Sequence, residues 1–226
     1  MDKRYWIGLL IFLLTATTNV SVAQFSLGGG VSTFHGINLP VNRIGGNIFL
    51  EVPRTPENTL FVRAAYMLPV KNVSETSVSG KPGVTPSLAD ADLIAKTSYF
   101  AVDGGTRYYL YNQYDIGFAV FAGGHIKGIL SSYSADYRMD SQYDIKDYET
   151  ADYPPQPLTG LSPQYSLLFA FGGTIGVKYQ LPIRGALMFD MGLEVITRLY
   201  DPYAILGNDI SPLSVSFNLG YRFDWY

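Results

Sequence analysis

The sequence predicts an all-β protein: an eight-stranded antiparallel up-and-down transmembrane β-barrel that follows a cleaved signal peptide. Three observations carry that expectation. Apolar and polar residues alternate over long segments, the period of two that marks a two-faced strand. Eight such segments are joined by connectors that alternate between short and long. Finally, no stretch reaches the roughly 20 apolar residues that a membrane helix needs. A membrane form must then be a closed barrel, the other architecture that satisfies its whole backbone in lipid.

Composition narrows function before any motif does. Charged residues make up 15% of the 226, against roughly 25% in soluble domains, while glycine (23) and tyrosine (18) are over-used. There is no cysteine, which excludes a disulfide scaffold, a thiolate metal site, a cysteine nucleophile and an acylated lipoprotein anchor. The formal net charge is -3 and no basic run is present, so no nucleic-acid partner is expected.

Residues 1–23 read as the signal peptide. Lys3 and Arg4 precede the apolar run Ile7 to Leu14, and Ser21-Val22-Ala23 supplies the small residues before a cut at Gln24. Residues 24–226 are then the barrel domain. Its segments are Phe25 to Phe34, Arg43 to Val52, Leu60 to Leu68, Tyr99 to Leu110, Asp115 to Ile129, Tyr165 to Leu181, Leu187 to Leu199 and Leu213 to Tyr226. The last is the clearest. Every odd position from Leu213 to Trp225 is apolar or aromatic, and with 47% apolar residues overall chance gives that about once in two hundred.

Short connectors fall at Pro53 to Asn58, Tyr111 to Tyr114 and Pro182 to Gly185. Long ones fall at Pro69 to Ala95, Leu130 to Gln164 and Tyr200 to Pro212, with His35 to Asn42 between the two kinds. Tight turns on one rim and long loops on the other are the asymmetry of outer-membrane barrels. With the first segment beginning just after the cut and the last ending the chain, both termini are expected in the periplasm.

Period alone does not say which face meets lipid. A secreted lipocalin-like barrel would turn the apolar set inward around a ligand. Aromatics at segment ends favour apolar-out: Phe25, Tyr108, Tyr179 and Trp225 near the short-turn rim, and Tyr66, Phe100 and Tyr165 near the long-loop rim, form two candidate girdles. The polar set then collects in the lumen Arg43, Glu51, Arg63, Asp103, Arg107, Asp115, His125, Lys127, Lys178, Asp190, Glu194, Arg198, Arg222 and Asp224. An eight-stranded barrel is just filled by side chains, and buried charges are tolerated when paired, so these residues should plug it. Gly28, Gly30, Gly45, Gly105, Gly123 and Gly172 would make room for the long chains.

No cofactor, catalytic or metal site is expected. The glycine doublets lack the strand-loop-helix context of a phosphate loop. His35 and His125 lack metal-ligand spacing. A surface hydrolase using His125 with Ser131 or Ser132 would need nucleophile, base and orienting group to converge, which the sequence does not show. The long fifth connector interleaves Asp136, Asp140, Asp144 and other acids with Tyr133, Tyr137, Tyr143, Tyr148 and Tyr153. It reads as a solvated external loop with tyrosines packed on the rim, or as a partner surface; a weak Ca²⁺ site lacks the usual aspartate spacing.

The Val22-Ala23-Gln24 cut site, the glycine-rich first segment and the closing Leu219-Gly220-Tyr221-Arg222-Phe223 resemble small outer-membrane barrels of the Bacteroidota, including the PorT-like group, and in architecture OmpX and the barrel of OmpA. The resemblance implies an integral outer-membrane location, outer-membrane lipid and the barrel-insertion machinery as partners, and an insertion signal in Tyr221, Phe223, Trp225 and Tyr226. It also implies a structural or interaction role through wall and loops, within a secretion assembly for some PorT-like members. A narrow solute channel is the rival expectation.

Overall fold

A computed structural model describes residues 25–37, 42–151, 154–182, 184–200 and 211–225. The signal-peptide reading, Tyr153 and Tyr226 lie outside the described residues. The strands are β1 (Phe25–Gly36), β2 (Asn42–Thr55), β3 (Asn58–Gly80), β4 (Leu88–Tyr111), β5 (Phe118–Arg138), β6 (Tyr148–Thr150), β7 (Leu161–Leu181), β8 (Gly185–Tyr200) and β9 (Leu213–Trp225). Each of the eight long strands pairs antiparallel with the next, β6 standing aside, and β1 closes on β9 from Phe25↔Trp225 to Gly36↔Ser214. Closure leaves the wall without an open edge, the condition for sitting in lipid.

The faces follow the alternation. On β9, Leu213, Phe217, Leu219, Phe223 and Trp225 point out while Ser214, Ser216, Asn218, Arg222 and Asp224 are buried. The outer wall is apolar all round, from Leu27 and Ile48 to Ile126, Ile175 and Leu193. All seven girdle aromatics are exposed on it, and at the lower rim Phe25 and Trp225 meet at 5.7 Å between ring centroids.

Two departures from the expected elements matter. The connector at 69–95 is mostly strand: β3 and β4 stay paired up to Ser79↔Leu88, and β5 accompanies β4 as far as Asp92↔Arg138. Backbone groups beyond the barrel rim pair with each other, so a polar hairpin continues as strand even where its hydrophobic alternation fades. The second concerns the glycines. At Gly28 a Cβ would overlap the Phe49 ring, so that glycine makes room for an aromatic ring rather than for a long charged chain. At Gly123 it would overlap the backbone carbonyl of Thr106, and Gly30, Gly45, Gly105 and Gly172 likewise approach neighbouring backbone. Those five let strands coil closely together rather than opening space for long charged chains.

Candidate functional site: a plugged lumen and an external sheet

Inward-facing positions of all eight barrel strands fill the lumen in layers. Towards the lower end Phe49, Tyr109, Tyr114 and Phe121 pack together with Met188. Tyr114 comes from the β4–β5 turn and folds up under the barrel, edge-on to Tyr109 at 5.9 Å, its hydroxyl bonded to Ser26. Asn112 at φ 57 makes the sharp bend that turns the chain back. Sequence reading places Tyr114 in a turn and misses this role, because a tyrosine in a tight turn gives no sign of which way it folds. Tyr114→Phe removes the Ser26 bond and keeps the ring, so urea unfolding should register a loss of about 0.5–1.5 kcal/mol.

Among these rings and above them the charges interlock. Glu51 accepts from Thr59 Oγ1 at 2.6 Å and Tyr109 OH at 3.1 Å, and faces Arg107 at 3.0 Å and Arg222 at 3.4 Å. Asp190 faces Arg63 at 3.2 Å and Arg107 at 3.3 Å and accepts from Asn218 at 2.7 Å; Arg63 also reaches Asp103 at 2.8 Å. Asp224 pairs with Arg222 at 2.7 Å and accepts from Gln180 at 2.7 Å. The guanidinium of Arg107 lies over the Phe61 ring at 4.3 Å, and that of Arg222 over Tyr114 at 3.9 Å. Each ion so finds opposite charge, hydrogen bonds or a ring face, the compensation that a low-dielectric lumen demands.

Higher still, Glu194 is bonded to Lys127, accepts from Ser216 at 2.8 Å and lies 3.2 Å from His125 Nε2. This order is not that of a serine nucleophile and its base. The carboxylate stands between the histidine and the hydroxyl, whereas an activated nucleophile must bond the base directly. Ser131 is six residues from His125 on β5, about 20 Å along the strand. An apolar layer of Phe34, Met67, Tyr99, Ile129, Leu168 and Ile196 lies over the charges. Between the two, a space beside Arg63, Tyr99, Asp103 and Lys127 leaves about 20 Å³ to a water's centre, room for one or two waters.

The second feature stands above the rim. β6 adds to the free edge of β3 through Val78↔Thr150 and Gly80↔Tyr148, making with β4 and β5 a four-stranded external sheet. Its inner face has a core of its own: Val78, Ala91, Tyr148 and Leu158, flanked by Tyr137, Met139, Tyr143 and Ile145. Tyr143 and Tyr148 meet edge-on at 5.8 Å.

No protein-family model and no curated protein matches the chain. Solved structures do. Neisserial surface protein A superposes with a TM-score of 0.51 at 13% identity, covering 91% of this chain and 98% of that one. The fold is that of the small outer-membrane β-barrels. A major outer membrane protein from Thermus thermophilus and the outer membrane protein OprG from Pseudomonas aeruginosa each align with a TM-score of 0.47 at 12% identity. They cover 91% and 90% of this chain and 100% and 96% of theirs.

Within this barrel, twelve of the fourteen lumen residues picked from the sequence are buried: Arg43, Glu51, Arg63, Asp103, Arg107, His125, Lys127, Lys178, Asp190, Glu194, Arg222 and Asp224. Two are misplaced. Asp115 is exposed in the β4–β5 turn, because β5 begins only at Phe118. Arg198 is exposed at the upper end of β8, above Val195↔Leu213 where β9 stops covering it. Two buried cations also depart from simple ion pairing. Arg43 donates to the Thr97 carbonyl at 3.0 Å and stacks over Tyr99 at 4.2 Å, and Lys178 donates to the carbonyls of Tyr114 at 2.6 Å and Ile116 at 3.2 Å.

The long connector needs the larger correction. Tyr133, Asp136 and Tyr137 are on β5 rather than in a loop. Tyr137, Tyr143 and Tyr148 pack into the external core, since a four-stranded sheet beyond the barrel rim must bury one face of its own. Tyr148 is therefore no contact surface. Asp136, Asp140 and Asp144 remain exposed. On the closing strand, Phe223 and Trp225 point outward, half exposed, and Tyr221 is on the same face.

Proposed function

We propose that the protein is an integral outer-membrane barrel that acts as a structural or interaction component, through its wall and its external sheet. The observation behind this reading is a contrast: the lumen is shut by interlocked side chains, while the chain beyond the rim is folded into a sheet with its own core. A passage for solutes needs an open lumen; a presenting surface needs order outside the membrane. Membership of the PorT-like barrels of the Bacteroidota, with a share in a surface or secretion assembly, is the finer form of the same reading. It is supported by the glycine-rich first strand and the aromatic closing strand. The protein is further read as no enzyme, with the His125, Glu194 and Ser216 order as the support.

Expression in a Gram-negative host tests the location. The protein should resist carbonate and urea washes of the outer-membrane fraction and run faster unboiled than boiled on an SDS gel; release into the periplasmic wash would sink the reading. Planar-bilayer recording tests the plug. No stable unitary steps are expected at neutral pH, and steps that grow on Arg107→Ala or Glu194→Ala would make the protein a channel.

A further inference from the structure

We infer that Lys71 and Lys96 hold the phosphate of an outer-leaflet lipid headgroup against the barrel just above the membrane's apolar layer. The inference rests on the outer-membrane reading above. In the β3–β4 register the two lysines are direct Cα partners on the outward face of the external sheet. Like charges directly opposite on neighbouring strands, with Cβ atoms about 5 Å apart, oppose pairing unless an anion stands between them. The protein supplies only part of that anion. Lys96 Nζ is 3.1 Å from Asp136 Oδ2 in an exposed pair, worth little in water. Among the described residues Lys71 has no hydrogen-bonding or ionic partner, and its neighbours on that face, Val73, Ile94 and Ser98, are uncharged.

Height selects the ligand. Phe100, opposite Tyr66, is the uppermost aromatic pair of the lipid-facing wall on these strands, with both rings half exposed. Lys96 lies four residues above Phe100, about 13 Å along the strand and about 10 Å in height at the usual barrel tilt. That is headgroup level. Ser134 stands beside Lys96, and Ser132 pairs with Ser98 just below on the same outward face, so three hydroxyls border the two ammoniums. Lysine ammonium is a compact donor suited to a phosphate monoester. Higher on this face come Glu75, Asp90 and Asp92, with Arg138 spent on Asp92 at 2.7 Å. Those acids repel an extended polyanion while leaving a small anion free to sit at the base.

The test uses the full mature barrel, refolded in detergent and first shown to be folded by its faster unboiled migration. Native mass spectrometry then follows binding of a diphosphorylated lipid A, the same lipid dephosphorylated, and inorganic phosphate as competitor. Wild type should retain the phosphorylated lipid one to one. The double variant Lys71→Ala/Lys96→Ala should weaken retention by about tenfold or more, as expected for two lost charge-assisted contacts. Lys71→Arg/Lys96→Arg should restore it, and Lys81→Ala/Lys146→Ala, placed higher in the external loops, should leave it unchanged. Equal binding by the alanine variant or by the dephosphorylated lipid overturns the inference, as does displacement by millimolar inorganic phosphate. Loss of the faster unboiled band in wild type would instead count against the barrel reading itself.

Discussion

Glu51→Ala should destabilise the folded barrel by about 3–5 kcal/mol, the usual cost of removing one member of a buried ion network. Glu51 is completely buried and is met by Arg107, Arg222, Thr59 and Tyr109 at once. Its removal leaves two guanidiniums short of charge and two hydroxyls short of an acceptor in a lumen that water does not readily enter. Arg222 keeps Asp224 and Arg107 keeps Asp190, so the fold should survive with a lower midpoint. Glu51→Gln, which keeps an acceptor oxygen and loses only charge, should fall between. Urea titration of the unboiled gel band or of tryptophan fluorescence reads both. An alanine variant as stable as wild type would mean that the lumen is hydrated and the network decorative.

The second large effect is on the outside. Ile48 is 66% exposed at mid-wall on β2, facing where the bilayer centre would be. Ile48→Arg should cost about 2–4 kcal/mol in lipid, because a midplane charge must thin the bilayer or draw water to it. Val73→Arg, above the apolar band on β3, is the matched control and should stay within about 0.5 kcal/mol. Folding into vesicles followed by urea unfolding gives both numbers. If the two substitutions prove equally mild, the apolar wall does not face lipid and the membrane reading fails.

Much of the barrel is legible in one sequence because an apolar outer wall and a charged lumen demand opposite solubilities of alternate residues. Where that contrast is sharp, as from Leu213 to Trp225, period two gives both the strand and its faces. Glu51 and Arg222 are marked as interior simply by being charged among outward apolar neighbours. Legibility fades where the contrast does. Above the rim both faces of β3, β4 and β5 meet water or a small local core, so the alternation weakens and the external sheet reads as loop. Apolar interior residues such as Phe121 and Ile129 carry no mark that distinguishes them from the wall.

What one strand can reveal is therefore its own orientation: length, alternation, girdle aromatics and the sign of each inward charge are local properties, set by residues two apart. Which cation meets which acid is a matter of register and closure. Arg63 on β3 finds Asp190 on β8, and Tyr114 closes the lower end beneath Ser26 of β1, because bending the sheet into a ring brings residues 127 and 88 positions apart to within bonding distance. The pairing of Lys71 with Lys96 likewise depends on an irregularity between Met67 and Val70 that shifts the register of the hairpin. Such contacts are decided by the geometry of the closed wall, since no local pattern records the distance across a barrel.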